Sequence, residues 1–258
     1  MEFFKHSILR LPEVASDHGR HIDDLIVYVH LLMAGLFVGW LAFFIFALVK
    51  HRRSAHPKAD YVGARSHFST YAEVGVAAIE GLLLLGFAIP LWAKAVEKFP
   101  EEKDAVVIQI MGQQFAWNAH YAGPDGKWGH QDIKFASTTN PFGLDASDPA
   151  TKDDVTTLSN EPFLLPVNKD IICKISSMDV IHSFKLPTMR LTQDAIPGMS
   201  VPVHFKPTKT GDFTITCAQL CGNGHSKMRG NYKVVEQAEF DKWFADKAKS
   251  GAAGASFE

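Results

Sequence analysis

Twenty-five consecutive residues, 25–49 (LIVYVHLLMAGLFVGWLAFFIFALV), contain no Asp, Glu, Lys or Arg, and His30 is their most polar member. About 20 apolar residues cross the hydrocarbon core of a bilayer as a helix, so this run is long enough to do so with some tilt. A cleaved signal peptide would have an apolar core of roughly 7–15 residues close behind a basic N-terminus. The run here is longer and starts later, which predicts a retained transmembrane helix. A second apolar stretch, 74–93, follows, with Pro90 late in it. Between the two lie Lys50, Arg52, Arg53, Lys58 and Arg65 against the single acid Asp60. Short loops rich in Lys and Arg stay on the cytoplasmic side. Tyr28 and Trp92 then fall at the same outer interface, as aromatic belts do. The expected anchor is a helical hairpin over residues 1–96, with helices at about 25–49 and 72–95. Its N-terminus and everything after residue 95 lie outside the cytoplasm.

Two carboxylates sit on the second helix. Glu80 interrupts the apolar run and Glu73 precedes it by two turns, so both occupy one face. A carboxylate at membrane depth is expensive and faces a protein partner or a water-filled cavity. Glu80 therefore implies packing against another membrane subunit. Glu73 fits a solvated place at headgroup level equally well.

The character of the chain changes after residue 97. Short runs rich in β-branched and aromatic residues, at 105–114, 171–176, 201–205, 213–217 and 232–235, are punctuated by Gly, Pro, Asn and Asp. That pattern predicts an all-β sandwich or barrel over 97–236. The segment 122–160 is rich in turn residues and lacks periodicity, and reads as an insertion between strands. Phe240, Trp243, Phe244 and Ala248 recur at helical spacing, so the tail 237–258 opens with a short amphipathic helix. A net charge of −2 gives no whole-chain signature for nucleic acid. Three cysteines are too few for a disulfide framework, and no C-x-x-C-H is present to attach a c-type haem.

Two of those cysteines lie in Cys217-Ala-Gln-Leu-Cys221-Gly-Asn-Gly-His225-Ser-Lys-Met228, a C-x3-C-x3-H-x2-M pattern. Thiolate, imidazole and thioether together are a donor set suited to copper, not to magnesium or calcium. A mononuclear blue-copper site would use one Cys, so a second suggests two metals bridged by two sulfurs. Each metal would then need an imidazole, and His182 in Asp179-Val-Ile-His182-Ser-Phe, after a predicted strand, is the best source. His120, His130 and His204 lack neighbouring ligand types and read as packed or solvated. Cys173, alone inside a strand pattern, reads as core. A structural zinc site from Cys217, Cys221, His225 and His182 is the rival. It leaves Met228 without a purpose, which favours copper.

On these motifs the chain resembles subunit II of the haem-copper cytochrome c oxidases. Besides the metal loop and the Asp179–Phe184 segment, Asp194-Ala-Ile-Pro-Gly198 is similar to that family's loop facing the catalytic subunit. Gly112-Gln-Gln-Phe-Ala-Trp117-Asn-Ala-His-Tyr121 is similar to its aromatic stretch. The resemblance implies a cupredoxin-like Greek-key barrel holding two copper ions as a dinuclear CuA centre, with no haem in this chain. It implies Cys217 and Cys221 as bridging thiolates and His182 and His225 as terminal imidazoles. Met228 becomes a weak ligand to one copper and the Gln219 backbone carbonyl a weak ligand to the other. The implied role is electron input from a c-type cytochrome to haem in subunit I. That partner reduces O2 to water and pumps protons; this chain alone reduces none. The implied surroundings are subunit I, other oxidase subunits and lipid of an energy-transducing membrane, with the metal domain on its periplasmic or outer face.

Three departures from the family pattern matter. Gln219 stands where many members carry a Glu that serves an interface magnesium. Phe115 replaces the usual Trp at the point of electron uptake, leaving Trp117 as an alternative. Glu73 matches a helix glutamate at the mouth of a proton path, whereas Glu80 falls where proline is common. Other readings are the copper subunit of a CuA-type nitric oxide reductase and a membrane-tethered copper- or zinc-binding protein.

Overall fold

The two apolar runs form two helices in a computed structural model that describes residues 3–58, 61–62 and 66–253. Asp60 and Arg65 of the basic loop lie outside the described residues, as do residues 254–258 of the tail. Helix α1 spans Gly19–Lys50. Helix α2, Phe68–Leu83, runs through a π-helical turn, Leu84–Ala88, into α3, Ile89–Val96. The most apolar windows of Gly19–Lys50 and Phe68–Val96 reach mean hydropathies of 2.5 and 2.1 and bury nothing against the rest of the chain. Both helices are long and apolar enough to cross a membrane. The π turn sits just ahead of Pro90, which has no N–H to donate and would crowd the carbonyl four residues back; a widened turn relieves both. The rings of Tyr28 and Phe87 meet edge to face at 5.6 Å between centroids, tying α1 to the second span.

Residues up to Leu11 and His21–Lys94 form one unit, and Pro12–Arg20 joins the chain from Ala95 onward in the other. The placement of Pro12–Arg20 differs from the sequence reading, which assigned all of 1–96 to the anchor. The cause is backbone pairing. Ala15 N–H donates to Thr188 O (2.9 Å), Asp17 N–H to Lys206 O (3.1 Å), and Thr208 N–H to Ala15 O (2.8 Å). Ala15 is fully buried, and the Ser16 hydroxyl donates to Met189 O at 2.7 Å.

Among its described residues the second unit carries ten strands. These are β1 Ala105–Gln113, β2 Ala116–Tyr121, β3 Val155–Thr157, β4 Phe163–Pro166 and β5 Asp170–Ser177, then β6 His182–Leu186, β7 Leu191–Ala195, β8 Val201–Phe205, β9 Gly211–Cys217 and β10 Arg229–Val235. They make two five-stranded sheets, β3-β2-β1-β5-β8 and β4-β10-β9-β6-β7. Within them β1 with β5 and β4 with β10 are parallel, and the other pairs antiparallel. Strand β10 buries every second residue, Gly230, Tyr232 and Val234, as a sheet with one face on a core must. Ile108, Ile110, Ile171 and Ile175 from one sheet share a cluster with Phe184, Leu186, Ile215 and Tyr232 from the other. Each such side chain contributes about 1.5–3 kcal/mol by leaving water. Cys173 is part of this core, its thiol pushed far up by burial and unavailable for chemistry at neutral pH. The fold is the expected cupredoxin-like barrel of two sheets.

The tail helix α4, Gln237–Ala253, closes one face through Phe240 and Phe244, both edge-on or tilted to Tyr121. The turn-rich stretch 122–160 ends in β3, which extends the first sheet by pairing with β2. Three residues are too few to register as a periodic pattern, and neither β2 nor the short β4 stood out in the sequence.

Candidate metal centre

Strands β9, β10 and β6 are neighbours in one sheet, and their register assembles the centre. The C-x3-C-x3-H-x2-M segment is the hairpin connection from β9 to β10. Its far end folds into a single 3-10 turn, His225–Lys227, and the Cys217 N–H returns to Met228 O at 3.3 Å. On the other side Phe184 of β6 pairs with Cys217, and Ala218 N–H donates to Ser183 O at 3.0 Å. Because β6 is antiparallel to β9, this register continues through Ser183 and Ala218 and would bring His182 opposite Gln219. The periodicity of a strand then puts His182 on the same face as Phe184.

The result is a tight cluster of donors. His182 Nδ1 is 4.0 Å from Cys217 Sγ, and the two cysteine sulfurs are 3.8 Å apart. Cys221 Sγ is 3.5 Å from His225 Nδ1 and 3.6 Å from Met228 Sδ. Cys217 Sγ lies 3.1 Å from the carbonyl oxygen of Gln219. The ligand atoms of His182, Cys217 and Cys221 all fall within 4.8 Å of one another. All six residues named from the sequence therefore come together, His182 from a separate strand.

One side of the cluster is buried and oriented, while Cys217 and His225 are half-buried and Gln219 is exposed. His182 is fully buried, Met228 is 1% exposed and Cys221 4%. Burial first, and the adjacent Cys217 thiol second, push the Cys221 thiol up to about 11. The Nε2 of His182 is 2.8 Å from Asp179 Oδ1. A carboxylate there fixes the Nε2–H tautomer and leaves Nδ1 free to bind, the arrangement typical of metal-bound imidazoles. Desolvation works against the charge on Asp179. The hydrogen bonds from His182 and from the Gln114 and Val180 backbone N–H groups outweigh it and hold its carboxyl below the usual range. Room for the imidazole comes from Gly112, where a Cβ would lie 3.0 Å from His182 Cδ2.

The aromatic candidates separate by depth. Trp117 is buried, 2% exposed, with its ring edge-on to His182 at 5.9 Å and to Phe184 at 5.2 Å. Phe115 is half-buried against Gly222 and Gly224 of the metal loop. Glu73 and Glu80 are exposed on α2 and take no part in the cluster. His120 is paired with Asp154 at 2.7 Å, and His204 packs on Phe99 at 4.6 Å between rings; neither belongs to the centre. Asp179 and Gln114 were not singled out from the sequence. A carboxylate three residues before a proposed histidine ligand was the available signal for Asp179. Gln114 offered none, because its partners are 65 and 107 residues away.

The donor set fits copper. Two thiol sulfurs side by side, flanked by an imidazole at each end and a buried thioether, supply the soft ligands that copper takes. A zinc site would leave the Met228 sulfur, 3.6 Å from Cys221, unexplained.

Comparison with known proteins agrees. Residues 106–236 match the family described as cytochrome c oxidase subunit II, periplasmic domain. An alternative cytochrome c oxidase subunit 2 from Bradyrhizobium diazoefficiens is 29% identical over 231 residues, covering 89% of this chain and 81% of that one. A probable cytochrome c oxidase subunit 2 from Rickettsia bellii is 30% identical over 235 residues, covering 90% and 80%. The crystal structure of the periplasmic domain of cytochrome oxidase subunit II from Bradyrhizobium japonicum aligns over 60% of this chain and all of its own, at 31% identity and a TM-score of 0.44. The chain belongs to the cytochrome c oxidase subunit II family and is thus a membrane subunit of a haem-copper oxidase, an oxidoreductase complex.

Proposed function

We propose that this chain is the electron-input subunit of its oxidase, holding a dinuclear CuA centre. Cys217 and Cys221 would hold the copper pair through their sulfurs and His182 and His225 through their imidazoles, with Met228 and the Gln219 carbonyl as the weaker donors. When bound, the copper pair supplies a one-electron couple between a c-type cytochrome and the haem of subunit I, where O2 is reduced and protons are pumped. The observation that carries this reading is the convergence of sulfur, imidazole and thioether from β6 and the β9–β10 connection into one cluster, with His182, Cys221 and Met228 on its buried side.

The protein's own part is to hold these donors in place. His182 is oriented by Asp179, Met228 is fixed by the backbone bond from Cys217, and the sheet register sets the spacing between loops. Phe115, half exposed over the metal loop, is the outermost aromatic and the proposed point of electron uptake, with Trp117 beneath it against His182.

The functional division is an anchor within 1–96, a metal domain over 97–236 with the 122–160 excursion, and a tail at 237–258, with Pro12–Arg20 joined to the metal domain. Pro12–Arg20 leads into the first span, and the chain from Ala95 leaves the second, yet both belong to one folded unit. They share one side of the membrane, which the basic loop between the helices makes the extracytoplasmic side. Glu80 faces another membrane subunit at membrane depth, and Glu73 matches the glutamate at the mouth of a proton path. Glu80→Gln in the assembled oxidase should lower complex yield or proton delivery and leave copper content unchanged; normal values for all three would remove it from this role.

The test of the copper reading is metal analysis with absorption and EPR spectroscopy of the purified full-length chain. The expected result is two coppers per chain and a hyperfine pattern from one unpaired electron shared equally by both. A colourless protein carrying stoichiometric zinc after copper-replete purification would sink it.

A further inference from the structure

The donors come from two separate pieces of chain, the start of β6 with the β5–β6 connection before it and the β9–β10 connection, and the turn between β1 and β2 touches both. The backbone N–H of Gln114 donates to Asp179 Oδ2 at 2.7 Å, while Asp179 Oδ1 takes His182 Nε2 at 2.8 Å. The side-chain amide of the same residue donates to the Cys221 carbonyl at 2.6 Å. One residue thus reaches the His182 half through its main chain and the cysteine half through its side chain.

The metal loop is shaped to receive this turn. Gly222 has φ +133, a conformation open to glycine, and a Cβ there would stand 2.7 Å from Gln114 Nε2. At Gly224 the backbone is ordinary, but a Cβ would fall 2.4 Å from Phe115 Cδ2. Two adjacent side chains of the turn therefore fill the two glycine notches of the loop. The glycines serve close approach as much as bending.

We propose that Gln114 is a positioning residue, which clasps the two ligand-bearing connections and fixes their relative register before and after copper binds. The clasp rests on the copper assignment above only for its effect on the centre; its effect on the loop exists without metal. A donor aimed at the Cys221 carbonyl restrains the peptide directly after a bridging thiolate. Held geometry at that point limits how far the sulfur can move when the centre changes charge. A looser loop would change the ligand field and the potential without removing any ligand.

The test uses the full-length chain with Gln114→Met, which keeps length but removes the donor, and Gln114→Glu, which turns an acceptor toward the carbonyl. Both keep the backbone bond to Asp179, so the side chain is isolated. In the metal-free chain, amide hydrogen exchange at His225, Lys227 and Met228 should quicken by about threefold to tenfold in Gln114→Met, as loss of one hydrogen bond implies. Gln114→Glu should quicken it further, and Gln114→Lys, which restores a donor, should reverse the effect. In the copper-loaded chain both donor-less variants should release copper faster to a chelator and shift the midpoint potential and EPR hyperfine splitting. Exchange and copper release equal to the parent in Gln114→Met and Gln114→Glu would overturn the proposal. If the parent takes up no copper pair, the copper reading fails, and the exchange measurement alone decides the clasp.

Discussion

Two histidines of the β unit are fully buried, and nearly everything about their surroundings is alike. His182 bonds Asp179 at 2.8 Å and His120 bonds Asp154 at 2.7 Å, both through Nε2. Each imidazole has a tryptophan edge beside it, Trp117 at 5.9 Å and Trp128 at 5.0 Å. The difference lies at Nδ1. In His182 it faces the Cys217 sulfur at 4.0 Å. In His120 it meets Gln109 Oε1 at 3.1 Å and Gln131 Nε2 at 3.2 Å, so the ring is closed off by protein amides. Asp154 also accepts the Gly123 and Gly129 N–H groups, which pins the start of the 122–160 excursion to β2. Burial and a carboxylate partner do not make a ligand. What the second nitrogen faces decides it.

The largest effect that would test this contrast is His182→Asn. It should abolish the shared-electron EPR signal while far-UV circular dichroism stays that of the parent. An unchanged mixed-valence spectrum would end the assignment of His182 as ligand. His120→Ala should do the reverse. It leaves Asp154 buried with its imidazole partner gone, at a cost of about 3 kcal/mol to the folded state. Copper content and spectrum should be those of the parent at temperatures where the variant is folded. A denaturant midpoint equal to the parent's would refute the structural role, and lost copper in the folded variant would break the contrast.

Next in size is the carboxylate behind each ring. Asp179→Asn should lower copper affinity roughly 10–100-fold, the usual consequence of losing a carboxylate behind a metal-bound imidazole. Asp154→Asn should leave that affinity untouched and lower stability instead. Equal copper affinities for the Asp179 variant and the parent, measured by chelator competition, would mean that Asp179 serves only the loop.

How much of this was legible beforehand follows from range. The metal loop is contiguous, so Cys217, Cys221, His225 and Met228 were readable as one donor set, and the uncharged run 25–49 announced its helix by length alone. His182 was recoverable because that set left a need for a second imidazole. The strand register that delivers it, Phe184 opposite Cys217, was not, since pairing between distant strands leaves no local pattern. His120 had no ligand neighbours in sequence and was set aside, and its partner Asp154, 34 residues on, could not be named. The same limit hid the seating of Pro12–Arg20 on the β unit, which rests on backbone bonds that any residue types could make.

The smallest effect separates the two sites by their protons. In the metal-free protein the Cys221 thiol is pushed up to about 11 by burial and by the Cys217 thiol, so it is protonated at neutral pH. Copper binds the thiolate, and the proton must leave as the metal arrives. Below pH 11 each such proton makes apparent affinity rise about tenfold per pH unit, and acidification should weaken loading in the same proportion. Nothing comparable is expected around His120, whose ring exchanges no proton for a metal. Chelator competition at several pH values, in the parent and in His120→Ala, should therefore give parallel slopes. A flat profile in the parent would mean that the thiol proton is already gone in the metal-free protein, and that Cys217 and Cys221 share their charge differently from the arrangement argued above. A slope that changes with His120 would mean that the buried pair at the excursion and the pair at the metal are coupled through β2, and the two histidines would no longer be independent.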